Sequence, residues 1–93
     1  MNRKEIEERY EDEQMLFADG FDKAIIGVAH IFNKRIVSYD TKKCIKILMK
    51  DMTNEEAVEY FDFNVVGAYA GESTPVFLED EFDNNEESNS LRE

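Results

Sequence analysis

The chain has 93 residues, enough for one domain of modest stability, since a chain of this size buries only about 60–65% of its unfolded surface. Its apolar fraction of 42%, with seven Phe and four Tyr, supplies one core and argues against a wholly disordered chain. The net charge of −11 lies mostly at the ends, with −3 on residues 1–15, −2 on residues 16–78 and −6 on residues 79–93. This distribution disfavours a domain that mimics the charge of DNA.

No apolar run approaches the roughly 20 residues that a membrane-spanning helix needs, and the N-terminus has no apolar signal region. The single cysteine, Cys44, cannot form an internal disulfide, in keeping with a reducing compartment. We therefore expect an intracellular, cytoplasmic protein that has no membrane partner.

The first predicted element is a helix near the N-terminus. Residues 3–13 favour helix by propensity, and Glu5 and Arg9 have the spacing of a supportive ion pair. Only Ile6 and Tyr10 share an apolar face. We therefore expect residues 1–13 to form a marginal helix that docks loosely.

Two strand signals follow. The short apolar run at residues 15–18 ends at the turn signal Asp19-Gly20 and predicts a first strand. Residues 24–39 are rich in β-branched and aromatic side chains and are broken at Asn33-Lys34, which predicts a β-hairpin. A helix over residues 21–32 is the rival interpretation, because five apolar residues there also fall at helical spacing.

After the hairpin, apolar residues recur at every third or fourth position instead of every second, which predicts a helix over residues 41–50. Asp40 or Thr41 is placed to cap this helix. Lysines at a spacing of four occupy its other face, and those near the C-terminus are favoured by the macrodipole.

A second helix is predicted over residues 54–70. Thr53 and Glu56 have the spacing of a capping box at its start. Asn64 and Gly67 interrupt its pattern, and a close approach to the sheet is one reason for a glycine there.

The last predicted strand covers residues 75–78, and Pro75 suits a sheet edge or the first position of a strand. Residues 80–93 are acidic and polar, so we expect a disordered tail. The elements predict an α+β domain over residues 14–79, with a small, mostly antiparallel sheet covered by two helices. The predicted core is Leu16, Ile26, Val28, Ile36, Ile45, Leu48, Ala57, Phe61, Val65 and Phe77.

Three segments over residues 15–78 together resemble a family of small, functionally uncharacterised proteins encoded mainly by bacteriophages and related bacterial elements. The segments are DGFDKAIIGV at 19–28, YD at 39–40 followed by KCIKIL at 43–48, and EEA at 55–57 running into FDFNVVGAY at 61–69 and GESTPVF at 71–77. The family tends to have a longer connection at residues 30–34, so we expect a shortened hairpin here. The resemblance implies a virus-encoded accessory protein that acts inside the bacterial cell, and it implies no activity.

Carboxylates near the ends of the predicted elements could form a binding site. Asp19, Asp22 and Asp40 would converge if the first turn lies beside the end of the hairpin, and with Glu72 they could hold a divalent cation. We favour the simpler interpretation that the first two shape a turn and Asp40 caps a helix. The candidate binding residues are Asp19, Asp22, Tyr39, Asp40, Asn64 and Glu72.

No catalytic set is visible in the sequence. His30 has no serine or cysteine assigned to it by spacing, and Cys44 lies on the buried stripe of its predicted helix. We therefore assign no catalytic residue, metal ligand or cofactor and expect a protein that is not an enzyme. A small metal-dependent enzyme that uses Asp22 and Asp40 is the alternative.

The charge pattern favours contact with another protein. Lys42, Lys46 and Lys50 could form a basic strip for nucleic acid, but no aromatic side chain is interleaved for base stacking, so we disfavour this second alternative. A basic helix beside an acidic one suits docking onto a larger protein. We therefore expect an accessory or regulatory protein that contacts a host or phage protein, with a host nucleic-acid-handling enzyme or a second copy of the chain as options.

Overall fold

The computed structural model describes residues 2–68, 71 and 73–79 and has the expected α+β class. Within this part of the chain no helix is long and apolar enough to cross a membrane. Short turns flank the main elements: a 3₁₀ turn at Asp22–Ala24, a π-helical turn at Phe61–Val65 and a second 3₁₀ turn at Val66–Ala68. The main elements are α1 (Arg3–Arg9), β1 (Ile25–Ile31), β2 (Lys34–Asp40), α2 (Thr41–Leu48), α3 (Asn54–Tyr60) and β3 (Val76–Leu78).

Strands β1 and β2 form an antiparallel hairpin, which confirms the strand interpretation and excludes the rival helix. Ile31 pairs with Lys34, so the turn is Phe32 and Asn33, one residue earlier than the predicted break. Ile26 has no partner in β2 and forms a β-bulge. The connection has only two residues, as expected for a shortened hairpin.

The sheet is mixed, in the order β1-β2-β3. Strand β3 runs parallel to β2, from Val76 opposite Ser38 to Leu78 opposite Asp40. A parallel pair requires a long crossover connection, which α2 and α3 supply. Pro75 precedes this short edge strand, as its lack of a backbone donor predicts.

The predicted strand at residues 15–18 is wrong, since this segment has no regular secondary structure. Its last residue, Ala18, is fixed by a different contact: the Ala18 N–H donates to the Tyr39 hydroxyl over 2.7 Å. Tyr39 is completely buried, and its ring stacks on Phe77 with the centroids 5.4 Å apart. A side chain of the central strand therefore holds the segment in place of a strand ladder.

The core lies between the sheet, α2, the end of α3 and the N-terminal segment. Predicted core residues Ile36, Ala57, Phe61 and Val65 are buried, and four others are partly buried. The placement of Leu16 and Ile26 in the core is wrong, since they are 41% and 44% exposed. Leu16 lies on the irregular segment, and Ile26 lies at the bulge. The packed cluster also contains residues outside the predicted set: Ile6, Ala18, Phe21, Ala24, Val37, Tyr39 and Cys44.

Helix α1 is shorter than predicted but contributes to the core. Ile6 is fully buried, contrary to the loose docking expected from two apolar side chains. Asn2 and Glu5 form a reciprocal capping box, which satisfies free amides at the start of the helix. The division of the chain at residues 13 and 79 stays a prediction.

The predicted helix starts are confirmed. The Asp40 carboxylate accepts from the Lys42 N–H over 3.0 Å, and Thr53 and Glu56 form both bonds of the capping box. The second helix is regular only to Tyr60 and continues as the π-helical turn. Its predicted end at residues 69–70 and the predicted disordered tail at residues 80–93 lie outside the described residues.

We predict that Tyr39→Phe lowers the free energy of unfolding by about 1–3 kcal/mol, because it leaves the buried Ala18 N–H without its acceptor. Denaturant unfolding measures this change. Tyr60→Phe is the matched control, since the Tyr60 side chain is 42% exposed, and it should change stability by less than about 0.5 kcal/mol. Equal stability of the Tyr39 variant and the wild type would contradict the role of this hydrogen bond.

Candidate functional site

One recess lies between the loop at residues 19–21, the end of α2 and the helical segment at residues 60–65. Its volume is about 350 Å³. Its buried lining residues, Phe21 and Val65, are apolar, whereas Asp19, Asp51 and Asn64 are exposed and polar or acidic. The lining residues are Asp19, Gly20, Phe21, Ile47, Leu48, Asp51, Met52, Tyr60, Asn64 and Val65.

A second recess of about 460 Å³ adjoins the first. The two share Met52, Tyr60 and Asn64, so they lie side by side along the helical segment. We call these two recesses together the groove. The residues that line only its second part are Glu56, Glu59 and Phe63.

The π-helical turn positions the groove's helical wall. The Val66 N–H donates to the carbonyl of Phe61 as well as to that of Asp62, which inserts one extra residue into the turn. Phe61 and Val65 are buried on one side, while Phe63 is 74% exposed on the other. Single π-helical turns within helices are rare and recur at functional sites.

Gly67 has a local role beside this turn. A Cβ atom at Gly67 would lie 3.2 Å from the Asp62 carbonyl oxygen, closer than such contacts normally are. The close approach is therefore to the preceding turn of the same helical segment. No described atom of the sheet lies within 4 Å of that position, so an approach to the sheet, one of the possible reasons for a glycine here, is not the one that the structure shows.

The loop wall of the groove is fixed by the turn that the sequence predicts. Gly20 has φ +93°, a left-handed conformation that glycine adopts without steric cost. On one side of it, Ala18 is held by Tyr39. On the other, the Phe21 ring packs edge-on against Phe61 with the centroids 6.5 Å apart. The loop is thus tied to the sheet and to the π-helical turn.

The groove is acidic. Four carboxylates line it, and none of the described residues that line it is Lys or Arg. The nearest described partner of Asp19 is Arg3, whose guanidinium lies 3.5 Å from that carboxylate and 3.4 Å from Asp22. The Asp19 side chain is 92% exposed, so this pair leaves most of its charge in water. The four carboxylates belong to Asp19, Asp51, Glu56 and Glu59.

The structure brings two of the predicted binding residues together. Asp19 and Asn64 line the same recess from opposite walls. Asp22 lies in a neighbouring shallow recess with Lys23 and Lys50. Tyr39 and Asp40 are buried beneath the surface, and Glu72 lies outside the described residues.

Asp22 and Asp40, the pair that the alternative of a metal-dependent enzyme uses, lie in different surroundings. Asp40 is 2% exposed and caps α2, whereas Asp22 is exposed and contacts Arg3. Over the described ranges no group of three or more His, Cys, Asp or Glu side chains is placed to hold a metal ion. Asp40 therefore has the capping role that we favoured.

The lysine strip is exposed and reaches a recess beside the groove, because Lys50 lines a recess that shares Gly20 and Ile47 with the groove. Lys42, Lys46 and Lys50 are all exposed, and none of them lines either part of the groove. Lys50 lies beyond the last residue of α2, so only the first two are helical. Binding of nucleic acid there stays a prediction.

Sequence reasoning missed most of the groove. Of the residues that line it, the sequence predicts only Asp19 and Asn64 as binding residues. The available signal was Phe63, because Phe61, Phe63 and Val65 cannot all face the core of a regular α-helix. The π-helical turn leaves Phe63 outside.

A scan of protein-family models finds no match to the chain, and searches of curated proteins and of solved structures find none either.

Cys44 is a core residue whose thiol is a weaker acid than an exposed cysteine thiol. Its burial, together with the nearby charge of Asp40, raises the pKa of the Cys44 thiol to about 12. The thiol therefore stays protonated near neutral pH and is not a nucleophile. This agrees with the structural role predicted from its place on the buried stripe.

The raised pKa predicts a loss of stability at alkaline pH. The thiol of the unfolded chain ionises at about pH 8.5. Above that pH the folded chain still holds a proton that the unfolded chain has released. The free energy of unfolding therefore falls by up to about 1.4 kcal/mol per pH unit. Cys44→Ala removes this component. Between about pH 8.5 and 12, the variant's unfolding free energy should fall less steeply than that of the wild type. Parallel curves from denaturant unfolding would contradict it.

Proposed function

We propose that the chain is a phage-type accessory or regulatory protein without catalytic activity of its own, and that it works by binding another protein in the groove. The partner contributes a basic segment that carries an apolar or aromatic anchor. A host nucleic-acid-handling enzyme, whose own substrate groove is basic, is the class of partner that this chemistry fits best.

The combination of exposed aromatic side chains and acidic rim supports this proposal. Phe63 and Tyr60 are 74% and 42% exposed beside Met52, although burying such side chains in the chain's own core would be favourable. Aromatic residues and Met are enriched where proteins bind each other. An apolar anchor from a partner would cover these rings and gain the burial that the isolated chain lacks.

The negative charge of the groove determines that the bound segment of the partner must be positively charged. Carboxylates line both parts of the groove together with its aromatic rings, so an acidic segment or a phosphate backbone would be repelled. Lys or Arg side chains would approach these carboxylates at the rim, where charge chiefly raises the rate of association and defines orientation. Binding should therefore weaken as salt is added.

The groove is also preorganised. Its loop wall is held by the Ala18–Tyr39 hydrogen bond and by Phe21 against Phe61. A partner would not have to order this loop, which lowers the entropic cost of binding. Stable walls that carry exposed aromatic rings fit a docking surface better than a catalytic centre.

The test begins with affinity capture of a stoichiometric protein from phage-infected bacteria by the full chain. The purified partner is then titrated calorimetrically with wild type, Phe63→Ser and Glu59→Lys. We expect Phe63→Ser to raise the dissociation constant at least about tenfold, the size of a modest hot-spot loss. Glu59→Lys should raise it several-fold and reduce its dependence on salt.

Two variants serve as controls in this experiment. Val58→Ser changes an exposed apolar residue of α3 that lines neither part of the groove, and Glu8→Lys makes the same charge change as Glu59→Lys on α1. Both should bind like the wild type. Failure to capture a stoichiometric protein, recovery of nucleic acid alone, or equal losses in the groove variants and their controls would each overturn the proposal.

A further inference from the structure

Strand β1 is an edge strand without the usual protection against pairing. The sheet order leaves its outer side unpaired within the part of the chain described. Its seven residues include no Lys, Arg, Asp, Glu or Pro. Natural proteins commonly place charges or proline on such edges to prevent pairing with another strand. The remaining protective feature is the bulge at Ile26, which leaves residues 27–31 regular.

The hairpin geometry determines which backbone groups point outward. In a two-residue hairpin the residues flanking the turn, Ile31 and Lys34, form a hydrogen-bonded pair. Hydrogen-bonded and non-hydrogen-bonded pairs then alternate along the ladder. The N–H and C=O groups of Val28 and His30 therefore point away from β2 and are available to a further strand.

The tip of the hairpin has a feature that the isolated fold does not explain. Phe32 is 90% exposed and has φ +54°, a left-handed conformation that is unfavourable for a bulky residue. Glycine or asparagine would normally occupy such a turn position. Strained positions of this kind concentrate at functional sites, where another contact compensates for them.

We propose that two copies of the chain pair through β1, antiparallel and about a twofold axis at Ala29. In this register Val28 of each copy lies opposite His30 of the other, so every outward group of both residues is paired and four backbone hydrogen bonds form. Shifting the axis to Val28 or to His30 would pair an outward residue with the bulge or with the turn. The two three-stranded sheets become one sheet of six strands.

The same register also brings apolar side chains together. Phe32 of one copy lies towards Ile26 of the second copy, and both side chains are exposed in the single chain, by 90% and 44%. The small Ala29 at the axis allows the strands to approach. The contact is isologous and closes as a dimer, unlike edge pairing that continues into a fibre.

The surface involved is distinct from the groove, and the two respond oppositely to salt. Residues 25–31 carry no formal charge, while each copy carries a net charge of −11, so repulsion between the copies opposes dimerisation. Added salt screens this repulsion and should strengthen the dimer. Binding of a basic partner in the groove should weaken under the same conditions, so the two proposals can fail independently.

Sedimentation equilibrium of the full chain over a series of concentrations tests the proposal. We expect a reversible monomer–dimer equilibrium whose dissociation constant falls as salt is added. His30→Pro removes an outward N–H without removing a bond to β2, and should raise that constant at least tenfold. Hydrogen exchange at the Val28 and His30 amides should slow as the dimer forms.

Phe32→Gly should change two measured quantities in opposite directions. It relieves the left-handed strain, so the thermal midpoint of the dilute monomer should rise, while the loss of the ring should weaken the dimer several-fold. Leu78→Ser, at the other edge of the sheet and 47% exposed, should leave the dimer unchanged. A chain that stays monomeric, assembles beyond a dimer, or dimerises equally well as His30→Pro and Phe32→Gly would overturn the proposal.

Discussion

The hydrogen bond from the Ala18 N–H to the Tyr39 hydroxyl is a buried contact that fixes the N-terminal part of the chain on the sheet. Tyr39 is fully buried on the central strand, and its ring stacks on Phe77 of the edge strand β3. Residues 11–21 contain neither helix nor strand, so no backbone ladder can hold them. One phenol therefore connects the sheet, its last strand and the segment that carries the loop at residues 19–21.

The groove follows from this constraint. Three residues after Ala18, the Phe21 ring packs against Phe61, which begins the π-helical turn. That turn leaves Phe63 outside the core and places Asn64 opposite the loop. The buried contacts keep both walls in place, while the residues proposed to meet a partner are exposed. The uncharged edge of β1 is a second surface of different chemistry, suited to a second copy of the chain rather than to a basic segment.

Local signals predicted the elements whose cause is local. The capping residue Asp40, the capping box at Thr53 and the β-branched density of the hairpin each depend on neighbours a few residues away. The errors arose where distant contacts decide. The segment at residues 15–18 has strand composition but bonds to a side chain 21 residues further on, and Ile26 was misplaced because a bulge shifts the alternation by one position.

Amide hydrogen exchange at Ala18, followed by NMR, tests most directly whether Tyr39 fixes the loop wall of the groove. If it does, the Ala18 amide should exchange as slowly as the buried amides of β2, although it lies outside any helix or strand. The neighbouring amide of Leu16, a residue that is 41% exposed, should exchange faster. Exchange of Ala18 at the rate of an exposed loop would contradict the account, because the segment and the groove wall would then be free to move.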